Sequence, residues 1–140
     1  MPTYTNTNLI QYPIYNTRVL TYVPTIAGFS ANPSTTVYRY QIKLDRLRVD
    51  LNQGVNGTSN ATTFTMTAPM AHATLANSFT AVACYGPVDN GTVQTTPAFA
   101  SLASGASTIN VYKNADAGTT AWTNVNGKRV AHIGLDYPLK

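Results

Sequence analysis

The sequence predicts an all-β fold: an antiparallel β-sandwich or jelly roll of about seven or eight strands, carried behind an extended N-terminal arm. Three observations predict it. Charged residues make up only 10% of the 140 residues, and the five acids are all Asp, so the Glu, Lys and Arg that fill exposed helix faces are scarce. Thr, Val and Tyr, which suit a pleated and half-buried surface, stand in their place. Short apolar runs also recur between clusters of Gly, Pro, Asn and Ser, the rhythm of a sandwich or barrel. A chain of this length buries about two-thirds of its unfolded surface as one domain.

Residues 1–16, MPTYTNTNLIQYPIYN, carry no charged side chain. Leu9, Ile10, Tyr12 and Ile14 make this stretch too apolar for a solvated tail. It is expected to be an extended arm packed on this domain or on a neighbour, with the sandwich domain spanning 17–140. TRVLTYVPT (17–25) follows as a strand with Val19, Thr21 and Val23 on one face, ended by Pro24. IAGFSANPS is a loop by its Gly, Pro and Asn content.

VYRYQIKLDRLRVDL (37–51) is a hairpin. Splitting it at Asp45-Arg46 sets Leu44 opposite Leu47, Ile42 opposite Val49 and Tyr40 opposite Leu51 on one face. The other face then opposes Lys43 to Arg48, Gln41 to Asp50 and Arg39 to Asn52, so both faces close in one register. Residues 52–63 read as a polar loop. FTMTAPM is a short strand with Phe64 and Met66 inward, halted by Pro69. SFTAVACYG (78–86) is a near-continuous apolar run, expected to be a strand buried on both faces. PVDNG supplies a turn with Asn90-Gly91 suited to positive φ. VQTTPAFASLA and STINVYKN are further strands, and ADAGTTAWTNVNG is a last loop. KRVAHIGLDYP closes the chain, with Val130, His132 and Gly134 alternating against Arg129, Ala131, Ile133 and Leu135.

The net charge of +4 comes from few acids rather than many bases, which disfavours a nucleic-acid partner. Alternation places Arg39, Lys43 and Arg48 on one sheet face, read as wet or as a contact with another subunit. The like-charge pair expected between Lys43 and Arg48 would be relieved by an acidic group on a partner. The five Asp form no motif with His72 or His132, so an enzyme is not expected. The single Cys84 admits no internal disulfide and sits in an apolar run, where a buried thiol is expected. No Cys-x-x-Cys or His-x-x-x-His spacing, phosphate loop or long apolar span occurs, so no metal, cofactor or membrane partner is expected. The opening residues lack the features of a secretion signal. Trp122 has two readings that both stay open: a surface contact that stacks on a sugar or a partner, and a plug at one end of the sandwich.

The order of these elements resembles a module of tailed-bacteriophage virion proteins. The resemblance runs over about residues 17–138, through TYVPTIAG, VYRYQIKLDRLRVDL, FTMTAPMA, CYGPVDNG, STINVY and HIGLDYP. It departs from the module at the first hairpin turn, where Leu44-Asp45 stands in place of the usual glycine. The resemblance implies a trimer-forming jelly roll without catalytic residues, used for capsid decoration, head fibres or tail-fibre tips. With some sixteen residues ahead of the module, a capsid decoration or cement protein is expected, located in virions assembled in the host bacterial cytoplasm. Its partners would be capsid protein or neighbouring copies, met through Leu9, Ile10, Tyr12 and Ile14 of the arm and through Arg39, Lys43 and Arg48. The alternative is a receptor-binding head or tail-fibre tip recognising host surface glycans through Trp122 and loop tyrosines.

Overall fold

A computed structural model describes residues 18–76, 78–114 and 121–139; the arm positions Leu9, Ile10, Tyr12 and Ile14 lie outside the described residues. No helix occurs among the described residues. The elements in chain order are β1 (Leu20–Thr21), β2 (Ile26–Ala27), β3 (Phe29–Ala31), β4 (Ser34–Lys43), β5 (Arg46–Val55) and β6 (Gly57–Ser59), followed by β7 (Thr65–Thr67), β8 (Phe79–Asp89), β9 (Thr92–Val93), β10 (Ala98–Ala103), β11 (Thr108–Tyr112) and β12 (Gly127–Pro138). All pairings are antiparallel, and one curled sheet runs β1-β4-β5-β12-β8-β10-β11-β7-β2. The strand number exceeds the seven or eight expected because stretches read as loops pair after all. Phe29–Ala31 pairs with Gly57–Ser59 in a small side ribbon, and β5 runs on to Val55.

The longest apolar strand makes the sheet curl. Residues Phe79–Cys84 of β8 pair with β10, whereas Tyr85, Pro87 and Val88 pair with β12. Between them Gly86 has φ +63°, and a Cβ there would lie 2.8 Å from the Ala131 Cβ. A side chain at 86 would thus push the two strands apart where the sheet turns. The inward phase of β12 shifts at the same level: Lys128 and Val130 are buried, then Ile133, Leu135 and Tyr137. This corrects the strict alternation expected for KRVAHIGLDYP, in which Val130 and His132 shared a face. β8 is likewise not buried on both faces, since Phe79 and Tyr85 are largely exposed.

The curl brings Leu47, Val49 and Leu51 of β5 and Ile133, Leu135 and Tyr137 of β12 into one apolar cluster with Met66, Ala100, Leu102, Ile109 and Val111. Burying each of the larger aliphatic side chains contributes about 1.5–3 kcal/mol, so this cluster is the main source of stability. Cys84 lies within it, and burial pushes its thiol up to about 12. The thiol is therefore protonated and unreactive at neutral pH.

The hairpin forms as expected, but its loop lies one residue earlier, which shifts the register by two. Lys43 faces Arg46, Ile42 faces Leu47, Gln41 faces Arg48, Tyr40 faces Val49 and Arg39 faces Asp50. The loop is Leu44-Asp45, with Leu44 at φ 57°. One positive φ, at the first loop position, is the pattern of a type II′ turn, which suits the right-handed twist of the strands. Moving the loop back by one residue changes every partner by two and leaves each side chain on its original face, so the apolar set survives the error. The like-charge pair expected between Lys43 and Arg48 is replaced by one between Lys43 and Arg46, while Arg48 faces a neutral Gln41 and Arg39 faces an acid.

Candidate partner-binding surface

The outward face of β4, β5 and β12 gathers the charged side chains Arg39, Lys43, Arg46, Arg48, Asp50 and Asp136. Arg39, Gln41 and Lys43 project from β4, while Arg46, Arg48 and Asp50 project from β5. Register then aligns His132 with Asn52 and Tyr85, Gly134 with Asp50, and Asp136 with Arg48. Asp50 is the hub of this face. His132 Nε2 lies 3.3 Å from Asp50 Oδ1, Arg48 Nε lies 3.7 Å from Asp50 Oδ2, and Arg39 stands opposite on the neighbouring strand. Arg46 pairs with the Asp136 carboxylate and donates a second bond to the Asp136 carbonyl at 3.0 Å. His132 and Asp50 are far apart in sequence, and only the register of β5 with β12 unites them.

The side chains of these pairs are 37–60% exposed, and each pair is worth about 0–1 kcal/mol, so they do not hold the fold. Among the described residues Arg39 and Lys43 have no ion pair. Exposed apolar groups flank the charges: Val19 and Val23 beside β1, Val37 on β4 and Tyr85 on β8. Val23 is 93% exposed.

A groove of about 510 Å³ continues this face beyond Tyr85. Tyr85, Pro87, Val93 and Pro97 form its apolar walls, with Gln94 and Arg129 as polar groups. Arg129 donates through one terminal nitrogen to the carbonyls of Gln53 and Gly54, while its Nε–H is buried without an acceptor.

Behind the surface, the buried polar groups serve the fold. His72 is enclosed between the Ala73 carbonyl and the Thr80 hydroxyl and stacks on Tyr137 at 5.9 Å. The Tyr137 hydroxyl donates to the Met70 carbonyl at 2.8 Å, and burial pushes its pKa up to about 12. Lys128 has no exposed surface, yet its ammonium donates to the carbonyls of Ala61 and Thr63, both at 2.9 Å, and lies 4.7 Å from the centre of the Phe29 ring. Burial lowers its pKa to about 8, against the attraction of Asp89. Asp89 accepts bonds from the Thr123 amide and hydroxyl and pairs with Lys113 at 2.6 Å. Burial alone would raise its carboxyl; Lys113 and Thr123 together hold it below the ordinary value.

Neither of these charged groups stood out in the sequence. Asp89 was hidden by the turn residues Asn90 and Gly91, which do take positive φ of 52° and 74°. Lys128 did leave a signal: it is two residues before Val130, in phase with the inward face. Trp122 corrects the surface-contact reading. It is 2% exposed, its Nε1–H donates to the Val111 carbonyl at 2.8 Å, and its ring meets Phe64 at 5.8 Å. The loop's small neighbours Ala121 and Thr123 let the indole fold inward over the end of the core.

Among the described residues no three His, Cys, Asp or Glu side chains are grouped to hold a metal ion, and no helix is long and apolar enough to cross a membrane. Comparison with protein-family models, with curated proteins and with solved structures finds no match for this chain.

Proposed function

We propose that this chain is a structural protein of a bacteriophage virion, a jelly-roll decoration or cement protein that assembles as a trimer and stabilises the shell. The resemblance over residues 17–138 motivates this reading, and the outward face of β4–β5–β12 carries it. That face offers the basic groups Arg39 and Lys43 without ion pairs among the described residues, alongside exposed Val19, Val23, Val37 and Tyr85. Both signs of charge beside exposed hydrocarbon suit a protein–protein contact better than a nucleic-acid groove, which would be basic throughout. The jelly-roll reading draws on the curl at β8, which sets β5 and β12 against β10 and β11 over one core.

The test is cryo-electron microscopy of the assembled particle together with sedimentation of the purified protein. Density for this chain on the capsid surface, with β4–β5–β12 turned towards a neighbour, is the expected result. Arg39→Ala with Lys43→Ala should weaken incorporation while leaving the melting temperature unchanged. A chain found only in infected-cell lysate, and never in purified particles, sinks the reading. The alternative of a receptor-binding head for host surface glycans loses Trp122 as its contact. Its remaining support is the Tyr85 ring, 78% exposed and set beside a groove.

A further inference from the structure

We propose that the groove between Tyr85 and the segment 93–97 is the seat of the uncharged N-terminal stretch of a neighbouring copy, with Leu9, Ile10, Tyr12 and Ile14 as the docking residues. The proposal rests on the self-assembly in the reading above and adds the surface through which it happens. Three observations point to this occupant.

The first is chemical. Val93 is 68% exposed and faces a groove whose other walls are the Tyr85 ring, Pro87 and Pro97. Such a surface gains by covering with hydrocarbon and aromatic rings, which residues 9–15, LIQYPIY, supply. The second is the buried Arg129 Nε–H, which lacks an acceptor. A peptide laid along the groove brings one backbone carbonyl per residue, and an outward turn of Arg129, which lines the groove, lets its donor reach one. A stretch without acids meets that need while adding no buried carboxylate.

The third is position. The described chain begins at Arg18, just ahead of β1, and β1 lies four strand spacings from β8 in the sheet order. At about 4.8 Å per spacing, the groove is roughly 20 Å away, and the four to nine extended residues between Arg18 and positions 14 to 9 reach about 13–30 Å. Length therefore lets Leu9 reach its own groove, while Ile14 falls short. The route is a second obstacle. To reach its own groove the stretch must lie across Arg39, Arg48, Asp50, His132 and Asp136 and strip water from them, a cost that hydrocarbon cannot repay. Reaching a neighbour's groove avoids that crossing, and three copies exchanging arms in this way close a ring with each groove filled once.

The experiment places p-benzoylphenylalanine at position 12 of the full chain and irradiates a mixture of isotopically light and heavy protein. Mass spectrometry of the digest is expected to show adducts on residues 85–97 or 129–131, with light–heavy pairs as frequent as random mixing predicts. Val93→Asp, at an exposed position that the fold tolerates, is expected to cut those adducts about tenfold or more. Adducts confined to one isotope, adducts elsewhere in the chain, or no adducts at all overturn the proposal. So does a Val93→Asp yield equal to the parent. Because this runs on purified protein, it is separable from the particle experiment. A virion-located trimer without groove adducts removes only the groove assignment.

Discussion

The Asp89 carboxylate lies 2.6 Å from the Lys113 ammonium and on its other side receives the amide and hydroxyl of Thr123. One buried acid thereby ties together both ends of the segment between β11 and β12. Removing it leaves a partly buried ammonium without its counter-charge. Asp89→Ala is expected to cost about 3 kcal/mol, with Asp89→Asn costing less because the amide oxygen still accepts from Thr123. The pH dependence has a definite sign. The folded carboxyl titrates below its ordinary 3.8, so its contribution is complete above that value and is lost as pH falls through the lower folded value. Urea midpoints between pH 5 and 2 should therefore fall more steeply for the parent than for Asp89→Asn. Parallel curves would show that the pair is not formed in solution.

Lys128 predicts a slope of the same sign at alkaline pH. Its folded pKa of about 8 lies below the ordinary 10.5, so between those values the unfolded chain holds more protons and stability rises with pH. Cys84 and Tyr137 are raised instead, so their contributions are lost at alkaline pH, and the raw curve mixes both effects. The difference between the parent and Lys128→Met isolates the lysine. That difference should change between pH 8 and 10.5 and stay flat from pH 6 to 7. At neutral pH the variant should lose about 1–2 kcal/mol, because the Ala61 and Thr63 carbonyls lose their donor. A carbon-13 titration of the Lys128 side chain with a midpoint near 10.5 would contradict the buried placement.

The parts of the fold legible in the sequence were those set by period-two alternation. Leu47, Val49, Leu51, Phe64 and Met66 were assigned inward and are buried. Alternation survives a register error of this kind, so the hairpin's core face was right although its loop was misplaced. What the pattern could not show were features fixed by contact between distant segments. The phase shift of β12 arises where it meets Gly86 of β8, and Asp89 is buried because Lys113 and Thr123 arrive from another strand and loop. The outward face was legible for Arg39, Lys43 and Arg48. It was not legible for His132, which reaches Asp50 only through the pairing of β5 with β12.

The first hairpin turn offers a stabilising change. Leu44 takes φ 57°, a conformation that costs a β-carbon-bearing residue roughly 1–2 kcal/mol, and its side chain is exposed, so little packing offsets that cost. Leu44→Gly removes the steric penalty, and a type II′ turn favours glycine at this position. Its thermal midpoint is expected to rise by a few degrees, equivalent to about 0.5–1 kcal/mol after the entropy lost by glycine is counted. Leu44→Val, branched at the β-carbon, should lower the midpoint. If both variants melt with the parent, the loop is not Leu44-Asp45.

Trp122 shows how a binding experiment on this molecule can mislead. Truncation to alanine would remove a buried indole, its hydrogen bond to the Val111 carbonyl and its contact with Phe64. The expected cost is about 3–5 kcal/mol, a large share of the total stability of a domain this size. Trp122→Ala should therefore reduce any binding by unfolding the end of the sheet, whether or not a partner touches the residue. Tyr85 is the informative contrast, since its exposed ring contributes little to the core and Tyr85→Ala should shift stability by no more than about 0.5 kcal/mol. Melting curves measured beside partner binding separate the two effects. Loss of binding in Tyr85→Ala at an unchanged melting temperature places the contact on the outward face. A Trp122→Ala protein that melts with the parent would instead return the indole to the surface.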